Sequence, residues 1–170
     1  RYDQPFNHSR QCQLGAQAAS GEVLVFLNND ACLLDDFALD RLSRWSRLPG
    51  VASAGARMVD GDGATSGGGF LARRLPGAEL NSPVEEAKGT FAELSRCTVG
   101  NTFACAAVSA KAFRSIGLAP VRFPIGFNDV DYCLRASRDG WRHVNVAEVR
   151  VLHAVGASRA RIDEIAQKLL

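Results

Sequence analysis

What this 170-residue chain lacks narrows its function before any motif is considered. Its formal net charge is only +2, too little basic excess to make nucleic acid its main partner. No apolar run approaches the length of a membrane span, and no signal peptide opens the chain. The five cysteines (Cys12, Cys32, Cys97, Cys105, Cys133) are odd in number and form no C-x-x-C pair. That argues against a zinc site and for free, buried thiols in a reducing compartment. Internal repeats and low-complexity tracts are also missing. Thr65-Ser66-Gly67-Gly68-Gly69 has neither the following helix nor the lysine that a phosphate-cradling loop needs. Asp60-Gly61-Asp62-Gly63 has no further ligands at EF-hand spacing, so it reads as a hairpin turn. What remains has ordinary apolar content and enough length for one globular domain, residues 1–170, with a substantial core. The chain opens at Arg1 directly into patterned sequence, as expected for a piece of a longer polypeptide.

The pattern alternates strands and helices. Ser9 caps an expected helix to about Ala19, with Cys12, Ala16 and Ala19 on one face. Val23 to Leu27 is continuously apolar between turn residues, which predicts a strand buried on both faces, as in a parallel sheet. Asp35 or Asp36 caps a second helix, with Ala38, Leu42, Trp45 and Leu48 inward and Pro49-Gly50 as its stop. Val51 to Met58 reads as a strand, and residues 73–96 read as a long loop or insertion. Ser109 caps a short helix ending at Gly117. Trp141 to Val146 and Val149 to Leu152 read as two short strands, and Ser158 to Leu170 as an amphipathic helix. The fold class is therefore α/β with a mostly parallel sheet flanked by helices.

Three polar features interrupt this pattern. Asn28-Asn29-Asp30 follows the first apolar run, at a strand's carboxyl end, where open α/β sheets place ligands. Asp129 and Asp131 lie in the first turn of a helix that runs to Gly140, with Val130, Cys133, Leu134 and Ser137 at core-like spacing. Asn128 is a natural N-cap there, and both carboxylates suit the positive helix end, so a purely structural role would explain them in isolation. His153 closes a late apolar run. An isolated histidine at a strand end is more commonly a satisfied structural residue, and the company of Asp30 and Asp129 raises the ligand reading above it. Trp45 and Trp141 read as core.

Several motifs in order resemble the family 2 glycosyltransferases, inverting enzymes of GT-A (Rossmann-related) fold. They are Phe6-Asn7-His8-Ser9 with Ala19-Ser20-Gly21-Glu22; Leu27-Asn28-Asn29-Asp30 at the family's D-x-D position; and Thr102-Phe103-Ala104-Cys105 at its T-G-A-C segment. Asn128-Asp129-Val130-Asp131 through Leu134-Arg135 then matches its N-D-x-D subgroup, and Leu152-His153 its closing histidine motif. The resemblance implies transfer of a sugar from a nucleotide-diphosphate donor to a saccharide or lipid-linked acceptor, as in polysaccharide biosynthesis. It implies a cytoplasmic chain, with the inner membrane face as an optional peripheral location, and a divalent metal, Mn2+ or Mg2+. Asp30, Asn28 and His153 would hold that metal, and Asp129 would be the general base. Asn29, Gln13, Thr102, Asn128, Asp131 and Arg159 would border donor or acceptor, Asp131 chiefly by capping and orienting.

The departures are Asn28 for the first aspartate, Phe103 for a common glycine (predicting a narrower sugar pocket), and Leu118 and Pro120 for glycine and aspartate. In the GT-A fold the strands that cradle the nucleoside base precede the position where this chain starts, so the resemblance implies the central and C-terminal part of a catalytic domain. Two other readings compete: a non-catalytic nucleotide-sugar or carbohydrate-binding domain or inactive fragment, and a nucleotidyltransferase, whose Gly-rich phosphate loop this sequence does not contain.

Overall fold

The computed structural model describes residues 3–72, 84–86 and 92–154. In chain order the elements are α1 (His8–Ala18), β1 (Val23–Leu27), β2 (Ala31–Leu33), α2 (Ala38–Ser46), β3 (Val51–Val59), β4 (Thr65–Gly67), β5 (Phe70–Ala72), β6 (Val84–Glu86), β7 (Arg96–Thr98), β8 (Cys105–Ser109), α3 (Ala110–Ile116), α4 (Asn128–Arg138) and β9 (Arg142–His153). The expected helix over Ser158 to Leu170, and Arg159 within it, lies outside the described residues.

One seven-stranded sheet has the order β1-β8-β3-β9-β2, with β4 beside β3 and β7 beside β9. Helices cover both of its faces. Ala38 and Leu42 of α2 join Val51, Ala54, Val146 and Val149 in one core. Ala16 of α1, Phe113 of α3 and Tyr132, Cys133 and Ala136 of α4 join Leu24, Ala106 and Val108 in the other. The run Ala52-Ser53-Ala54-Gly55-Ala56 in β3 suits this central position because small side chains admit close neighbours on both faces. A Cβ on Gly55 would lie 2.5 Å from the Asn101 side chain, so glycine is needed there. Among the described residues, no helix is long and apolar enough to cross a membrane.

The α/β class holds, but the sheet is mixed rather than mostly parallel. Among the described ladders only β3–β9 is parallel; β1–β8, β3–β8, β2–β9, β3–β4 and β7–β9 are antiparallel. Apolar continuity reports burial and says nothing of a neighbour's direction. Nor is β1 buried on both faces: it ends the sheet order, and Val25 and Leu27 are 43% and 46% exposed. The two short late strands are one long β9, whose register against β3 slips between Ala56 and Arg57.

Helix ends shift by small, explicable amounts. Asn7 rather than Ser9 caps α1, its side chain accepting from Arg10 N at 2.8 Å. Asp35 closes a turn before α2 by accepting from Phe37 N at 2.9 Å instead of capping the helix. Ser109 does cap α3, and Gly117 (φ 62°) and Gly140 (φ 86°) follow α3 and α4 as expected. On α4 the buried face is Val130, Tyr132, Cys133 and Ala136, while Leu134 and Ser137 are exposed. The aspartate-glycine turn is a hairpin turn: Asp60 Oδ1 accepts from Asp62 N and Ala64 N, both at 3.0 Å, between β3 and β4.

Candidate active site

Strand β1 delivers Asn28-Asn29-Asp30 to the sheet's rim. Asn28 N donates to Ala104 O at 2.9 Å, and Ala31 N closes a turn onto Asn28 O at 3.2 Å. The chain then enters β2, an element the sequence did not announce, whose register sets Ala31 opposite His153. That pairing brings two sequence-distant groups together: His153 Nε2 lies 3.3 Å from Asp30 Oδ1, and the two side chains are 21% and 20% exposed.

Helix α4 supplies the second carboxylate. Asp129 Oδ2 accepts from Phe103 N at 3.2 Å and Oδ1 from Val130 N at 2.8 Å, so each oxygen keeps acceptor capacity for a ligand. Asp129 and Asp30 line one cavity of about 360 Å³, together with Asn28, Asn29, Thr102 and Asn128. This volume lies within the usual range for small-molecule sites. The Phe103 ring is buried, stacks on Phe26 with centroids 4.6 Å apart, and lines both this cavity and a neighbouring one of about 400 Å³ between α1 and β1. The bulk at position 103 is thus absorbed by the aromatic core of Phe26, Phe113 and Tyr132.

Two residues expected to border the site make structural contacts, as the capping and orienting role read for Asp131 anticipates. Gln13 Oε1 accepts from Leu118 N at 2.9 Å, and Gln13 lines neither cavity. Asp131 accepts from Arg135 Nε at 2.9 Å, while the Arg135 guanidinium donates to Ile116 O and Gly117 O, each at 2.7 Å. That fork satisfies orphan carbonyls at the end of α3 and ties it to α4. Asn128 is the first helical residue rather than the cap, which is Phe127. Its Nδ2 donates to Ile125 O at 3.1 Å and sits 3.0 Å from His8 Nδ1. Because Ile125 O can only accept, Nδ2 is the donor end, and His8 Nδ1 accepts from it.

His8, Phe6, Ile125 and Phe127 also line the 360 Å³ cavity and were not singled out as site residues by sequence. Their signal was faint: Phe6, His8 and Phe127 lay in resembling motifs without a role of their own, and Ile125 is an apolar residue in an irregular stretch. Elsewhere, burial pushes the Cys105 thiol up to about 12 and raises Cys133 as well, so neither is a nucleophile at neutral pH. All five cysteines are free, but Cys97 is exposed, contrary to the expectation of burial.

No protein-family model matches the chain. Over 96% of its length it is 31% identical to the O-antigen biosynthesis protein RfbC of Myxococcus xanthus, spanning 13% of that protein. It is 26% identical over 94% of its length to the uncharacterized protein y4gI of Sinorhizobium fredii (strain NBRC 101917 / NGR234), spanning 18% of it. Among solved structures, GalNAc-T7 with UDP, GalNAc and Mn2+ matches with a TM-score of 0.66 at 15% identity, over 96% of this chain and 35% of that one. The mixed sheet with helices on both faces is therefore GT-A-like.

Proposed function

We propose that this chain is the central and C-terminal part of a glycosyltransferase catalytic domain that moves a sugar from a nucleotide-diphosphate donor to a saccharide or lipid-linked acceptor with inversion. The observation that carries this reading is that Asp30, with His153 3.3 Å away, and Asp129 line one cavity. The relative named for O-antigen biosynthesis and the structural neighbour crystallised with UDP, GalNAc and Mn2+ support it.

The donor set fits a divalent metal shared with a substrate. Asp30 and His153 offer one carboxylate oxygen and one imidazole nitrogen, and the Asn28 side chain lies at the same rim. Among the described residues no three His, Cys, Asp or Glu side chains gather around a metal position, so phosphate oxygens and water would complete the shell. When bound, the metal would neutralise charge that develops on the leaving diphosphate. Asp129 would take the proton from the acceptor hydroxyl as it attacks the anomeric carbon opposite the leaving group. The backbone N–H groups of Phe103 and Val130 hold the carboxylate in place while leaving it free to accept that proton. Asn29 and Thr102 line the same cavity and would border donor or acceptor there.

The exposed flank of β1 supports the placement within a larger domain: an apolar edge strand is ordinarily covered. Nucleoside-binding strands of the longer polypeptide would cover it. The isolated chain should then bind nucleotide weakly and turn over little, and robust sugar transfer by these 170 residues alone would contradict it.

A thermal-shift panel of nucleoside diphosphates with and without Mn2+ tests the reading. Stabilisation that requires both the metal and one particular nucleotide is expected; a response to neither would remove the donor site. Asp129→Asn separates catalysis from binding, since a transferase loses turnover yet keeps metal-dependent nucleotide binding. A non-catalytic carbohydrate-binding domain would be indifferent to that change.

A further inference from the structure

Phe127 is the one described non-glycine residue with positive φ, at φ 60° and ψ 8°. That left-handed conformation disfavours any side chain with a Cβ. Glycine is available one position earlier, at Gly126, where a Cβ would meet nothing within 4 Å. The strained position instead carries a phenyl ring, and the ring is 49% exposed rather than packed in the core. Phe6 and Ile125, 64% and 61% exposed, line the same cavity. Phe127 O accepts from Asp131 N at 2.9 Å as α4 begins, but that backbone bond does not call for an aromatic side chain, and strain and apolar exposure meet at this one residue of the cavity wall.

The surrounding backbone holds this rim in place. Asn7 Nδ2 donates to Pro120 O at 3.0 Å, Ser9 N donates to Pro124 O at 3.2 Å, and Asn128 donates to both His8 and Ile125 O. The start of α1 and the segment before α4 are thereby joined, which presents Phe6, Ile125 and Phe127 around one opening. The same cavity also carries polar lining, the polar floor of the site, from Asn28, Asn29, Thr102 and Asp129.

We propose that Phe6 and Phe127 form a stacking platform for a pyranose ring of the acceptor. A pyranose has an apolar C–H face that packs on an aromatic ring and a hydroxyl edge that needs polar partners. An alkyl chain would make no use of the polar floor. A nucleobase would stack too, but Phe127 stands two positions before Asp129, the residue proposed as base, whereas the residues proposed for the metal and diphosphate are Asp30 and its neighbour His153. The proposal rests on the transferase reading, because that reading makes the Asp129 side the acceptor side.

The test uses the full 170-residue chain with labelled phenylalanine rings, titrated by NMR with methyl glucopyranoside, galactopyranoside and mannopyranoside. At least one pyranoside is expected to move, saturably, the ring signals that disappear in Phe127→Gly and Phe6→Ala. Phe127→Gly relieves the left-handed strain, so its melting temperature should equal or exceed the parent's while pyranoside affinity falls roughly tenfold. Phe127→Leu keeps bulk without a ring and should lose a similar factor. No saturable movement, unchanged affinity in Phe127→Gly, a response only to an octyl glycoside, or movement of these rings by UDP instead would each overturn the platform. The metal-dependent nucleotide shift is measured on the same sample. Its absence beside a pyranoside response overturns the transferase reading alone; its presence without a pyranoside response overturns the platform alone.

Discussion

Two histidines at opposite ends of β9 sit in opposite settings. His143 is fully buried: its Nδ1 is 2.8 Å from Ser53 Oγ and its Nε2 is 3.1 Å from Cys133 O. Asn101 Nδ2 donates to the same Ser53 Oγ at 2.9 Å and to Val144 O at 3.1 Å. The carbonyl of Cys133 can only accept, so Nε2 carries the proton, and the serine hydroxyl donates to Nδ1. Every donor of this cluster is spent inside the protein, and it joins β3, β9, α4 and the segment leading to Thr102. His153 has a carboxylate neighbour instead, Asp30, which lines a cavity, and His153 itself keeps partial exposure. Polar groups whose donors are spent on one another build a scaffold; polar groups that stay partly exposed beside a cavity can act on a ligand.

The sharpest test of that contrast is catalytic. In whichever length of polypeptide shows transfer, Asp129→Asn should lower turnover by roughly 10²–10⁴-fold, the range of general-base catalysis, with nucleotide-dependent melting shifts unchanged. Equal turnover in steady-state assays would assign Asp129 to the scaffold.

Removing each histidine should have opposite signatures. His143→Ala leaves Ser53 Oγ and Cys133 O without their partner and opens a cavity, at a cost of roughly 3–5 kcal/mol in urea unfolding. His153→Ala should change stability by less than about 1 kcal/mol yet abolish the Mn2+-dependent nucleotide response. If the two phenotypes were exchanged, the assignment of scaffold and site would be reversed.

A pH series comes next. Burial pushes the His143 imidazole down to about 4, partly offset by its hydrogen bond to the Cys133 carbonyl. The unfolded chain protonates near pH ~6.5, so the stabilisation is complete above that pH. It declines as pH falls toward 4, by a total on the order of 3 kcal/mol. Urea midpoints of the parent should therefore drop across this window, and His143→Ala should remove that part of the slope.

The smallest effect concerns the second carboxylate of α4. Asp131→Asn weakens the fork through Arg135 to the end of α3 and should cost about 1 kcal/mol while leaving metal-dependent nucleotide binding intact. A calorimetric titration that lost nucleotide binding in this variant would move Asp131 from the scaffold into the site.

Legibility followed the physics of each signal. Helices α2, α3 and α4 and strand β1 were readable from local periodicity and from Ser109, Pro49-Gly50, Gly117 and Gly140 as punctuation. Asp30 and Asp129 were readable from their places at an element's end and start. Sheet direction was not, because a continuous apolar run is compatible with neighbours of either sense. The exposure of Val25 and Leu27 was hidden for the same reason. β2 has only three residues, too few to show a period, yet it brings Asp30 to His153. Gln13 was expected to border the nucleotide; its bond from Leu118 N, far along the chain, was not visible in the sequence. Phe127 stood in the acidic stretch that drew attention, but its backbone angle and exposed ring were not legible there.

Local chemistry therefore decided which segments became helices and strands, where turns fell, and which residues carried charge to an element's end. Those outcomes depend on neighbours within a few residues. Assigning the same residue types to different work was a matter of long-range pairing. The antiparallel β2–β9 register gave His153 a carboxylate, and the packing of α4 on β3 and β9 enclosed His143. Whether an imidazole or a carboxylate is spent inside the protein or left open to a ligand depends on which distant backbone atoms and side chains arrive within about 3 Å, the reach of one hydrogen bond.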